Sequence, residues 1–425
     1  MLIEFSVENY GSIRDEQIVS FVASKYFKES DEWMVACGAP GLKSESILKA
    51  ASIFGANASG KSTVVDALDH LQWLVRFSAG LMPDMALPYN PFKLDSDYRL
   101  APSTFKIIFT VGDVRYDYEV SHRSESVTNE KLERYETGRS QLMFHRYTDD
   151  AGSVHLKLTS KMSGLKKVQQ FLENKPTSLV MSRAAQEGFE PLMAPYNWIA
   201  KHLRFSEPDE KDASSFGPIL DGAEGDDIRS DLIKIAAHAD LGIVGIKSKS
   251  EPFLERMSGI EQVLSQEALE RFKDMPFKTA VFTHSAEDGD VDFESGRESV
   301  GTLAFLGVVA DVLIALRDGA VLSVDEIDRS LHPALAREII RMFADEGVNK
   351  KHAQLLFTAH TPQLMDELRR DQVWLTTKWG NGATTIEPLS DYSVRKSERK
   401  SIGYELGRYG AVPYVDGMYA SLAGA

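Results

Sequence analysis

A chain of 425 residues is too long for one simple core and predicts two or three packed units. Hydrophobic residues make up 43% and charged residues 26%, an ordinary balance for a soluble globular protein, and the lack of any run of eighteen apolar residues argues against a membrane span. The net charge of −15, from 63 acidic and 48 basic residues, lowers the case for a chain that coats nucleic acid non-specifically, which would present a basic face.

The opening stretch MLIEFSVENYGS has no basic region followed by a long apolar run, so no secretory signal is expected. Within it, LIEFSVENYGSI alternates apolar and polar residues and predicts a strand entering a turn. Cys37 is the only cysteine, which excludes an internal disulfide or a cysteine-based zinc site and matches a reducing cytoplasm. ILKAASIF predicts a buried strand ending at Phe54. The loop GANASGKST follows, and Val64, Leu68, Leu71 and Val75 supply the apolar face of a helix starting near Lys61.

From Gly80 to about Asp97 the chain is Pro-rich and irregular. TFKIIFTVGDVRYDYEV predicts a hairpin turning near Gly112-Asp113, and QLMFHRY and VHLKLT continue an antiparallel unit. Residues from about 165 to 275 are mostly helical in pattern, interrupted by the acidic loop SEPDEKDASS, with no sustained heptads. KTAVFTH and VDFES flank Asp288-Gly289, a second hairpin signal. TLAFLGVVADVLIALRDGA predicts a helix ended by Gly319. AVLSVDE and AQLLFTAH are short apolar strands, so strand and helix alternate here as in a parallel sheet with crossover helices.

The chemistry concentrates at strand ends. Gly55, Gly60, Lys61 and Ser62 match G-x-x-x-x-G-K-[ST] between a strand and a helix. The backbone from Gly55 through Ala56, Asn57, Ala58, Ser59 and Gly60 to Thr63 would wrap phosphates, and the helix N-terminus adds a favourable field. Lys61 would reach the β- and γ-phosphates, and Ser62 would hold Mg²⁺. Asp325 and Glu326 end AVLSV. The first would hold Mg²⁺ and the second would orient or deprotonate the attacking water; the alternative is a solvated acidic pair. His360 ends LLFTA and would contact the γ-phosphate; the alternative is a capping or core histidine. In a parallel sheet all strand C-termini face one crevice, which gathers Lys61, Glu326 and His360. Ser299 and Gly301, in ESVGT, open a helix and form a second anion-binding device or a plain cap. The acidic stretches DGAEGDD (Asp221 to Asp227) and HSAEDGDVD suit solvated turns better than metal sites.

With these motifs the chain resembles an ABC-class ATPase head. GANASGKS is similar to Walker A, ESVGT to the degenerate signature of the SMC and RecF branch, AVLSVDE to Walker B, DRSLHP (Asp328 to Pro333) to the D-loop, and FTAH to the switch-histidine strand. FSVENYGSI is similar to the opening strand of that branch. NPFKLD, DEIDRSLHP and GRYGAVPYVD resemble stretches of the bacterial AAA-type ATP-binding family known as abortive-infection or RloA-like ATPases, a group that includes the ATPase subunit of the PARIS anti-phage system. No glutamine is placed as a Q-loop; NPFKLD occupies that part of the chain.

The resemblance implies an α/β fold: an ABC-type head with a mixed or parallel sheet and P-loop, an antiparallel β subdomain and a helical insertion. The expected units are residues 1–80 and 276–390 for the head, 81–160 for the β subdomain, 161–275 for the insertion and 391–425 for the tail. It implies a cytoplasmic ATPase using ATP and Mg²⁺. It also implies a homodimer, open to higher assembly, in which Ser299 and Gly301 of one copy cap ATP on the other. The implied role is bacterial defence beside an effector such as a neighbouring nuclease. The competing expectation is a RecF- or SMC-like repair ATPase acting directly on DNA, for which the basic run RKSERK (Arg395 to Lys400) is the local argument.

Overall fold

The computed structural model describes residues 1–27, 31–43, 45–82, 84–149, 151–208, 216, 222–252, 276–393 and 398–413. The acidic loop from residue 209 to 215, Asp221 of the DGAEGDD cluster, residues 253–275 of the expected insertion, Arg395 to Ser397 of the basic run, and the chain from 414 onward lie outside the described residues.

Strand β1 (Leu2–Glu8) turns through Tyr10–Ile13 into β2 (Gln17–Ser20), and a ribbon of β3 (Met34–Ala36) and β4 (Ser46–Leu48) leads into β5 (Ala50–Gly55). Helix α1 (Lys61–Phe77) follows directly from the glycine-rich loop, with Val64, Leu68, Leu71 and Val75 fully buried as their spacing predicts. Next come β6 (Ser103–Val111), β7 (Val114–His122), β8 (Val127–Tyr135), β9 (Gln141–Thr148) and β10 (Val154–Leu158), with Gly112 at positive φ in the β6–β7 turn. The middle of the chain holds α2 (Lys166–Asn174), α3 (Val180–Gln186), α4 (Glu190–Asn197), β11 (Leu203–Ser206), α5 (Gly222–His238) and β12 (Ile243–Pro252). Then come β13 (Pro276–His284), β14 (Val291–Glu294), α6 (Val300–Asp318), β15 (Val321–Val324), α7 (Pro333–Ala344), β16 (Gln354–Thr358), β17 (Val373–Lys378), β18 (Thr384–Pro388) and α8 (Lys400–Glu405).

Two sheets organise the chain. The first is antiparallel and seven-stranded, in the order β10-β9-β8-β7-β6-β1-β2. The second, β11-β15-β16-β5-β17-β18, is parallel except for its last strand. Its strands β5, β15 and β16 are buried on both faces, so they read as largely apolar runs. Alternation then sorts their side chains. Ala51, Ile53 and Leu356 join a core with α1 and the antiparallel sheet, while Phe54, Leu355 and Phe357 join a core with α6 and α7. Helix α6 is apolar all round because it lies in that second core. It is long and apolar enough to cross a membrane, and 56% of it is buried inside the fold. Gly319 ends it in the left-handed region, as expected.

The expected boundaries at residues 81 and 161 do not coincide with sheet boundaries. β1 lies in the antiparallel sheet, with Phe5 opposite Ile107, so the first strand of the chain completes the unit that begins after residue 81. β11 lies inside the expected helical insertion yet forms the edge of the parallel sheet, with Leu203 opposite Val321. Four residues are too few to show a strand period, and the partner of an edge strand is chosen by packing far along the chain.

One buried contact ties α1 to the antiparallel sheet. His70 and His122 approach Nε2 to Nε2 at 2.9 Å, between Tyr10 and Phe105. His122 Nδ1 donates to the Arg123 carbonyl (3.1 Å), so its Nε2 accepts from His70. A proton on His122 would set two donors head to head. Burial, and then the neighbouring His122, lower His70 to about 3, and burial lowers His122 to about 4. Both take protons in the unfolded chain near 6.5 but stay neutral in the fold. Their contribution is therefore complete above pH 6.5 and is lost as the pH falls toward about 4 for His122 and about 3 for His70, on the order of 2 kcal/mol per histidine at pH 5. Urea unfolding at pH 7.5 and pH 5 tests this. The double variant His70→Gln/His122→Gln should show a shallower loss across that interval, and an unchanged slope would refute the assignment.

Candidate active site

The P-loop geometry follows from two glycines. A Cβ on Gly55 would collide with Thr376 Oγ1 and stand 2.6 Å from the Thr376 carbonyl. Gly60 has φ 103, and a Cβ there would overlap Thr384 and stand 2.7 Å from Ser12 Oγ. Both positions need the absent side chain, so the loop can tuck against the β17–β18 hairpin. Ser59 Oγ meets Thr376 Oγ1 at 2.6 Å, and Thr384 Oγ1 donates to the Ser59 carbonyl at 2.7 Å. Ser12 bridges Thr63 (3.2 Å) and Thr384 (2.8 Å).

Lys61 is 5% exposed and donates to the carbonyls of Gly55 (3.0 Å) and Ala56 (3.2 Å). Burial pushes its ammonium below the ordinary value, opposed by the negative charges of Glu326, Asp325 and Asp328. A buried cation held by backbone carbonyls is well placed to take a stronger, charged acceptor.

Across the loop, β15 and β16 deliver the acids and the histidine. Thr358 Oγ1 donates to Asp325 Oδ1 (2.6 Å) and accepts from the Glu326 amide (2.7 Å), locking two strand ends together. Glu326 stands at φ 51, a left-handed conformation that costs a non-glycine residue about 1–2 kcal/mol. Its carboxylate accepts from Arg329 (2.8 Å) and meets His360 Nε2 at 3.2 Å. Burial pushes Glu326 up, but the hydrogen bonds from His360 and Arg329 together outweigh it and hold the carboxyl below its ordinary value. Asp328 accepts from the amides of His360 (2.9 Å) and Thr361 (2.5 Å), so the DRSLHP turn holds the end of the histidine strand.

These groups line one cleft of about 530 Å³. Asn57, Ala58, Ser59, Gly60, Lys61, Ser62, Thr63, Glu326 and His360 all face it, as do three residues for which the sequence suggested no site role: Ser12, Arg329 and Lys378. Ser12 and Arg329 lie within stretches singled out by resemblance, FSVENYGSI and DRSLHP, and could have been found there. Nothing local marks Lys378. Gly55 and Ala56 serve beneath the cleft as acceptors for Lys61, and Asp325 sits behind it on Thr358. Ser299 and Gly301 do not line it. Ser299 caps α6 by accepting from the Thr302 amide (3.0 Å), and a Cβ on Gly301 would lie 3.0 Å from the Ser330 carbonyl. The N–H groups of the loop suit phosphate oxygens, and the hydroxyl and carboxylate oxygens beside them suit a hard divalent cation. A larger cavity, about 740 Å³ beside Glu32, Trp33, Arg341 and Glu367, lacks such a set.

The fold is similar to the SMC head domain from Thermotoga maritima, at 12% identity and a TM-score of 0.41, covering 92% of this chain and 99% of that one. No curated protein matches the sequence. The profile of the family described as "AAA domain, putative AbiEii toxin, Type IV TA system" matches residues 51–366, a span that holds the P-loop, Asp325, Glu326 and His360, and the chain belongs to that family.

Proposed function

We propose that the protein binds and hydrolyses ATP with Mg²⁺ in this cleft, and that two copies close head to head around the nucleotide. The observation that carries the reading is the convergence of Lys61, Glu326 and His360 on one cleft from three strands of a parallel sheet. Lys61 exchanges its two carbonyl partners for phosphate oxygens. Glu326, ionised and oriented by Arg329 and His360, takes the proton of the attacking water. His360 contacts the terminal phosphate. Ser62 and Asp325 would hold Mg²⁺, which neutralises phosphate charge. Ser299 and Gly301, away from their own cleft, are free to cap the partner's nucleotide.

The same reading makes the protein a cytoplasmic sensor or scaffold in anti-phage defence that controls a partner effector, such as a nuclease. The support is the resemblance of the motifs, the acidic balance of the chain and the AAA family membership.

Action between copies has a direct test. Ser299→Arg puts a bulky cation where the partner's phosphate would dock, and it also removes a helix cap worth about 1 kcal/mol. The variant should fold with a slightly lower melting temperature and show no turnover. Mixed with Lys61→Ala chains, it forms heterodimers with one site intact and one lacking both halves. Activity should reappear in the mixture. Confirmed heterodimers without activity would mean that each site is built from one chain.

A further inference from the structure

We propose that Lys378 is a second phosphate-binding cation of the cleft, contacting the nucleotide at the end remote from hydrolysis, on phosphates that ADP retains. The inference rests on the nucleotide reading of the site. β17 runs parallel to β5 with Thr376 beside Gly55, and Thr376 Oγ1 touches Ser59 Oγ at 2.6 Å. Lys378 lies two residues further, so strand alternation sends it out on the same face as Thr376. Its antiparallel partner is Thr384, which donates to the Ser59 carbonyl at 2.7 Å. Residues paired directly across a ladder share a face. Both relations therefore aim Lys378 at the P-loop, and it lines the cleft.

The sheet order decides which end of the nucleotide it meets. β15 and β16, carrying Glu326 and His360, lie on one side of β5, and β17 lies on the other. The phosphate to be cleaved must sit by Glu326 and His360. The phosphate chain crosses the loop above β5, so its other end points to Lys378. The charge distribution agrees. Of the three cations lining the cleft, Lys61 is held by loop carbonyls and Arg329 is paired with Glu326. Lys378 is exposed, and among the described residues no carboxylate pairs with it.

Calorimetry with Mg-ADP and with Mg-AMPPNP, on wild type, Lys378→Ala and Lys378→Arg, tests the assignment. Lys378→Ala should weaken both ligands by a similar factor of about ten, the loss of one charge-assisted contact. Lys378→Arg should recover most of it. Because the side chain is exposed, the melting temperature without ligand should not change. Unaltered ADP affinity in Lys378→Ala, with wild type binding normally, would overturn the proposal and leave the nucleotide site standing. Weakening confined to AMPPNP would overturn it too, by placing Lys378 at the terminal phosphate. Absence of binding by wild type would instead overturn the nucleotide reading.

Discussion

Replacing Lys61 with alanine should lower affinity for Mg-ATP by about a hundredfold or more, close to 3 kcal/mol, because charge-assisted bonds to phosphate are lost from a desolvated site. The effect on the empty protein should be small. Among the described residues the ammonium has only the carbonyls of Gly55 and Ala56 as hydrogen-bond partners, and burial disfavours its charge. Alanine removes both the bonds and the desolvated charge, and these changes offset. Thermal melts should therefore separate the two roles. The melting temperature without nucleotide should stay near wild type, while the rise that saturating Mg-ATP produces in wild type should vanish. A variant that still gained stability from Mg-ATP would remove the phosphate role of the loop.

Glu326→Gln should slow hydrolysis by about a thousandfold, the usual scale for a lost general base, while ATP still binds through Lys61 and the loop amides. Glutamine keeps the shape at φ 51 but can no longer take a proton or pair as an anion with Arg329. Closed, ATP-bound dimers should accumulate, visible by light scattering or cross-linking. The direction of the carboxyl's shift adds a pH expectation. His360 and Arg329 hold Glu326 below its ordinary value of 4.5, so in wild type this base stays ionised and should set no acid limb above that pH. Turnover in the glutamine variant near the wild-type rate would assign the proton to another group. Normal binding with no ATP-dependent association would separate hydrolysis from dimerisation.

Much of the site was legible because its devices are local. Gly55 and Gly60 meet backbone demands set within a few residues, and the loop sits between an apolar strand and an amphipathic helix that each show their own period. Asp325, Glu326 and His360 follow short apolar runs that read as strands of a parallel sheet. Strand ends on one side of a parallel sheet share a crevice, whatever the distances along the chain. The turns at Gly112 and Gly289 and the helix end at Gly319 are legible for the same reason, since left-handed backbone selects glycine.

The sequence by itself determined the glycine-rich loop, the acid pair, the histidine and the alternation of strands and helices, because short-range sterics and burial periodicity encode them. Only the tertiary structure decided which strands are neighbours. It put β1 beside β6, made β11 an edge of the parallel sheet, and laid the β17–β18 hairpin over the P-loop. That last choice brought Ser12 and Lys378 to the cleft, and packing of the DRSLHP turn against the histidine strand set Arg329 on Glu326. Pairing between distant strands follows from which arrangement closes both cores at once. That quantity belongs to the whole fold, and no window of the chain carries it.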